Sequence, residues 1–167
     1  MERKKQSIGK FFHNKGIVRE IKEERYKIDL TRDFYVFDVI PMGSVRMTQS
    51  DRWKTNPNHL DPNKRQRKSV TKHFTFKNEI TRQGKLMNFN IGECLECVYF
   101  IPMPDSWSEK KKEKMNGFPC KVKPDCDNIT KLVKDSFCIN DSNIWNEEAK
   151  KVWAYNGSII IFTSTTN

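Results

Sequence analysis

Apolar residues recur at Ile129, Leu132, Val133 and Phe137, spaced i, i+3, i+4 and i+8, with Asn128, Lys131, Lys134 and Asp135 on the polar side. That period lines one face of an α-helix and leaves the other to water. The other apolar runs are short and rich in aromatic and β-branched residues. Residues 34–40, 93–101 and 158–163 therefore read as strands. A helix with one apolar face has to bury it against another layer, so the expected class is α+β, a mixed or antiparallel sheet with two or three helices on it.

At 167 residues the chain is long enough for one domain with a proper core and short for two. Residues 1–33 are dense in Lys, Arg and Glu and read as a charged N-terminal arm, with the domain proper spanning 34–167. Phe74, Lys77, Ile80 and Gln83 or Gly84 outline a helix over 69–86. Asp105 or Ser106 is placed to cap a short helix running through Lys114 and stopped by Asn116-Gly117. Residues 150–155 and 158–163, joined across Asn156-Gly157, read as a hairpin, because Asn-Gly accepts the positive φ of a two-residue turn. The five cysteines are an odd count, and Cys94 and Cys97 lie three apart on a strand, where they face opposite ways and cannot share a metal.

The chain carries 31 Lys+Arg against 21 Asp+Glu, a formal charge of +10, which favours a polyanionic partner. No apolar run has the length of a membrane span and the N-terminus has no signal-peptide core, so a cytoplasmic protein without a membrane partner is expected. The segment from Ser44 to Lys68 concentrates the charge in a long basic loop. Arg46, Arg52, Lys54, Lys64, Arg65, Arg67 and Lys68 surround Trp53 there, an arrangement suited to DNA: cations meet phosphates and the aromatic stacks on an unpaired base. Lys134 on the polar helix face joins them as a DNA contact. His13, His59 and His73 are too scattered to form a metal cluster.

Immediately before the amphipathic helix stands Lys123-Pro124-Asp125-Cys126-Asp127-Asn128. Pro124 favours an extended approach, in which residues two apart project to one side, so Asp125 and Asp127 converge on one point. Carboxylates held that close repel unless a cation is supplied. Mg²⁺ suits them, since it takes one or two carboxylates and keeps water. On the residues alone Asp127 reads equally well as the helix N-cap, Asp125 as a charge favouring the helix dipole, and Lys131 as the partner of an i,i+4 ion pair with Asp127. A third acid has two sources, Asp141 just after the helix or one of Glu147 and Glu148 further on.

The run from Pro124 to Asp135, followed by Asn140-Asp141-Ser142-Asn143-Ile144, resembles the RusA family of Holliday-junction endonucleases, whose pattern is P-D-x-D-N-x-x-K-x-x-x-D and then D-D-[SA]-Q-[IV]. The stretch from Met103 to Lys112 resembles that family's proline, tryptophan and lysine segment. The resemblance implies a RusA-like fold and an Mg²⁺-dependent endodeoxyribonuclease, with Mn²⁺ able to stand in, that resolves four-way junctions in recombination and repair. It implies Asp125, Asp127 and Asp141 as metal ligands, Lys131 as the catalytic lysine, and a homodimer, because paired cuts need paired sites. Asn140 replaces the first Asp of the second motif, which leaves open the number of metal ions and a rival reading: a branched-DNA-binding relative that no longer holds metal. A nucleoid-associated protein of a cell, phage or prophage fits the same expectation. Residues 5–12, Lys5 to Phe12, resemble a sliding-clamp peptide in which Lys5 replaces the usual leading Gln.

Overall fold

The computed structural model describes residues 34–54, 56–138 and 140–162. The N-terminal arm of residues 1–33, including the clamp-like segment 5–12, lies outside them. Among the described residues four strands form one mixed sheet: β1 (Phe34–Phe37), β2 (Cys94–Pro102), β3 (Asn146–Ala154) and β4 (Ser158–Phe162), in the order β1-β4-β2-β3. β4 runs antiparallel to both β1 and β2, whereas β2 and β3 are parallel. Among the described residues three α-helices accompany the sheet: α1 (Lys68–Leu86), α2 (Glu109–Met115) and α3 (Cys126–Phe137). The α+β class with a mixed sheet thus holds.

The Asn156-Gly157 hairpin does not. β3 and β4 are successive in sequence, yet β2 lies between them. The reason is burial. All five residues of β4 are buried, including Ile159, Ile160 and Ile161, each worth about 1.5–3 kcal/mol when removed from water. β2 is buried from Cys97 through Ile101. The two apolar strands take the centre, and β3, which begins Asn146-Glu147-Glu148, is left at the edge. Hydrogen bonds from Gly117 and Cys120 to the Trp153 and Lys151 carbonyls, and from the Trp153 N–H to Phe118, cover the outer side of the C-terminal half of β3.

Leu95, Cys97, Tyr99 and Ile101 alternate along β2 toward a core shared with Phe76 and Ile80 of α1 and Ile129, Leu132 and Val133 of α3. Val98 and Phe100 face the other way, into a second cluster with Phe34, Val152, Ala154, Ile160 and Phe162. The α1 stripe is Val70, His73, Phe76, Ile80 and Gly84, displaced from the expected one: Phe74 is exposed and His73 is buried in its stead. Gly84 lets the two helices touch, since a Cβ there would lie 2.6 Å from the Phe137 ring. Ser108, not Asp105 or Ser106, caps α2.

Candidate active site

α3 begins one residue before its acid pair is complete. Asp125 is the N-cap, with extended φ/ψ of −71° and 154°, and its carboxylate makes no capping hydrogen bond. Asp127 already sits in the first helical turn. Both side chains are exposed and both stand at the positive end of the helix dipole, which favours negative charge there. The N-cap is therefore Asp125 rather than Asp127. Among the described residues no ion pair joins Lys131 to Asp127, so the exposed ammonium one turn along is not held in the ordinary i,i+4 bridge.

Three contacts hold this helix end in place. The Ser44 N–H donates to the Asn128 carbonyl at 3.0 Å, bringing the loop after β1 against α3. Gly43 permits that approach, because a Cβ there would lie 2.5 Å from Asn128 Nδ2 and 3.0 Å from Pro124 Cβ. From β3, Lys151 Nζ donates to the carbonyls of Val122 and Pro124, the latter at 2.5 Å. Inside the helix the Thr130 hydroxyl donates to the Cys126 carbonyl at 2.9 Å and lies 2.7 Å from the Tyr99 hydroxyl on β2, where burial pushes the phenol far above its ordinary range. An open cleft of about 510 Å³ lies alongside, lined by Pro41, Met42, Gly43, Lys123, Pro124, Asp125 and Asn128. Sequence reading missed Gly43 and Lys151. The only signal for Lys151 was its strand phase, shared with Glu147, Ala149 and Trp153.

The rest of the expected acid set stands elsewhere. β3 runs back along α3, so Lys151 lies beside the helix N-terminus while Glu147 lies beside its C-terminal half, where Lys134 Nζ meets Glu147 Oε2 at 2.7 Å. That hydrogen bond raises the Lys134 pKa, and Asp141 adds to the rise; burial, and after it Asp141, pushes the Cys138 thiol upward. Asp141 opens a short 3-10 turn, Asp141–Asn143, capped by the Asn140 side chain accepting from the Ser142 N–H at 3.1 Å. Glu148 pairs with Lys150 at 2.5 Å. The chain thus places Asp125 and Asp127 at the N-terminus of α3, and Asp141 follows the other end of that helix in the chain. Among the described residues no group of three His, Cys, Asp or Glu side chains is placed to hold a metal ion.

The basic loop divides into residues that build it and residues that face solvent. The Arg67 guanidinium donates to both Asp51 carboxylate oxygens, at 3.0 and 2.5 Å, and to the Arg46 carbonyl at 3.0 Å. This contact, with two hydrogen bonds from Thr48, holds the Asp51 carboxyl well below the usual carboxylate range. Arg65 donates to the carbonyls of His59 and Leu60. Arg46, Lys64 and Lys68 are exposed, Lys54 is half-buried, and Trp53 is 81 % exposed. The side chain of Arg52 lies outside what is described. His73 anchors the start of the loop, its Nδ1 accepting the Val45 N–H at 3.4 Å, and burial lowers its pKa.

No helix among the described residues is long and apolar enough to cross a membrane. A family model described as Endodeoxyribonuclease RusA matches residues 41–162, which include the acid pair, Lys131, Asp141 and the basic loop. No curated protein matches the chain.

Proposed function

This chain belongs to the RusA endodeoxyribonuclease family, and on that premise we propose that it is an Mg²⁺-dependent, structure-selective endonuclease that resolves four-way DNA junctions as a homodimer. The observation that carries the reading is the pair of exposed carboxylates at the N-terminus of α3: Asp125 is engaged by no capping bond, and Asp127 and Lys131 are one turn apart and unpaired with each other. Two carboxylates, with water and phosphate oxygens completing the shell, suit Mg²⁺. When bound, the ion neutralises the acid pair and lowers the pKa of water.

Each residue of the chain has its own part. Asp125 and Asp127 hold the ion; Asp141 is the third acid implied by the family resemblance. Lys131 offers its ammonium to the charge that develops on the phosphate oxygens. The loop from Ser44 to Lys68 and the net charge of +10 draw in the DNA backbone, and the exposed Trp53 stacks on a base left unpaired at the branch point.

Synthetic four-way junctions incubated with and without Mg²⁺ provide the test. The wild-type chain cuts only with the ion. Asp125→Asn and Asp127→Asn bind the junction without cutting it, because each loses a ligand while reducing repulsion toward phosphate. Tight junction binding by the wild type with no cleavage at any Mg²⁺ concentration would establish the non-catalytic reading, and wild-type cutting by either mutant would remove that residue from the site.

A further inference from the structure

We propose that Lys151, on β3, is a positioning residue for cleavage: its ammonium fixes the peptide unit ahead of Asp125 and so sets the direction in which that carboxylate points. The proposal rests on the nuclease reading above and adds no ligand to the ion.

Asp125 is an N-cap whose carboxylate makes no capping bond. Its direction therefore depends on its backbone, that is, on the two planar peptide units that meet at its Cα. The helix fixes the unit after it, because the Ile129 N–H donates to the Asp125 carbonyl at 3.2 Å. The unit before it carries the Pro124 carbonyl, and Lys151 Nζ donates to that oxygen at 2.5 Å. Asp125 is thus held at φ −71° and ψ 154° from both sides, and only its side-chain torsions remain to be set by the ion.

The same residue fastens the approach to that peptide. The Lys151 ammonium also donates to the Val122 carbonyl, and the Lys151 carbonyl accepts the Cys120 N–H at 2.9 Å. Residues 120–124 are tied to one residue of β3 at three points. The side chain is half-buried and, among the described residues, pairs with no carboxylate. A half-buried cation costs desolvation that a methionine of similar length would not incur. What the cation supplies instead is orientation, through charge-assisted bonds stronger than neutral ones. A carboxylate ordered before the ion arrives loses less freedom on binding it, which raises affinity. A nearby positive charge by itself does the opposite, since it repels the ion. The two effects differ in sign, and that makes the role measurable.

Full-length Lys151→Met keeps the stem and loses the donor, whereas Lys151→Arg keeps a cationic donor. Mn²⁺ uptake without DNA, followed by loss of the free-ion EPR signal, should weaken about tenfold in Lys151→Met and stay within about threefold of wild type in Lys151→Arg. In junction cleavage, Lys151→Met should need about tenfold more Mg²⁺ for its half-maximal rate and recover most of the wild-type rate at saturation. Metal-free junction binding should not change. Should melting curves show Lys151→Met unfolded, Lys151→Gln takes its place with the same expected weakening. Tighter Mn²⁺ uptake by the folded variant would make Lys151 only a repelling charge and overturn the proposal. Unchanged uptake would overturn it too, whether the melting temperature falls, as for a purely structural lysine, or metal-free junction binding falls, as for a phosphate contact. In either case a wild type that cuts leaves the nuclease reading standing. A wild type that neither cuts nor takes up Mn²⁺ fails one step earlier, at that reading, and removes the proposal with it.

Discussion

Lys134 on α3 and Glu147 on β3 form an ion pair of 2.7 Å at the end of the helix away from Asp125. The pair occupies both partners. It engages the Glu147 carboxylate and makes Lys134 part of the helix–strand junction. Asp141→Asn is therefore expected to lower junction cleavage by orders of magnitude, whereas Glu147→Gln and Glu148→Gln are mild. Glu147→Gln forfeits a partly exposed ion pair worth roughly 0.2–1 kcal/mol. Single-turnover cleavage by the three variants separates the outcomes, and an inactive glutamate variant beside a fully active Asp141→Asn would move the third acid into β3.

The basic loop separates phosphate contacts from scaffolding. Lys64→Ala and Lys68→Ala should each weaken junction binding modestly and make the slope of log K against log salt shallower by about one. Arg67→Ala should act differently, because its guanidinium holds Asp51 and the Arg46 carbonyl: thermal stability falls together with affinity. Fluorescence-anisotropy titrations at several salt concentrations, paired with melting curves, resolve the two patterns.

His73 makes the fold sensitive to mild acid. Burial lowers its pKa, so below about pH 6.5 the unfolded chain takes up a proton that the folded chain resists, and stability drops as pH falls through that range. His73→Asn keeps an acceptor for the Val45 N–H and removes the titration. Its melting temperature should be flatter than the wild type's between pH 7 and 5; parallel curves would show that another group governs the loss. A separate, more acidic loss follows from Glu79, whose carboxyl is held down to about 2 by Arg82 and Gln83 and whose contribution fades only as pH falls toward that value.

Gly84→Ala tests how closely α1 and α3 pack. The added methyl meets the Phe137 ring at 2.6 Å, inside a contact that Phe37 and Phe89 also complete. Overpacking of this kind costs about 1–3 kcal/mol, more than the helix propensity gained by replacing glycine. Chemical denaturation should show a lower midpoint with an unchanged slope.

Local information was enough for much of this protein. The stripe Ile129, Leu132, Val133 and Phe137 located α3 and its buried face, the short apolar runs located three of the strands, and the motif from Pro124 to Lys131 located the acid pair and the family. These are properties of neighbours in the chain, set by helix and strand periods. What the sequence left undecided depends on which distant segments compete for the same buried space. β2 displaced the Asn156-Gly157 hairpin because two apolar strands outbid a charged one for the centre of the sheet. His73 rather than Phe74 lies in the core because the buried stripe through Gly84, Ile80 and Phe76 continues three residues back to His73. Lys151, for which the sequence suggested no role, stands at the head of α3 because the direction in which β3 returns is decided by its parallel pairing with β2, and no residue near that position encodes it.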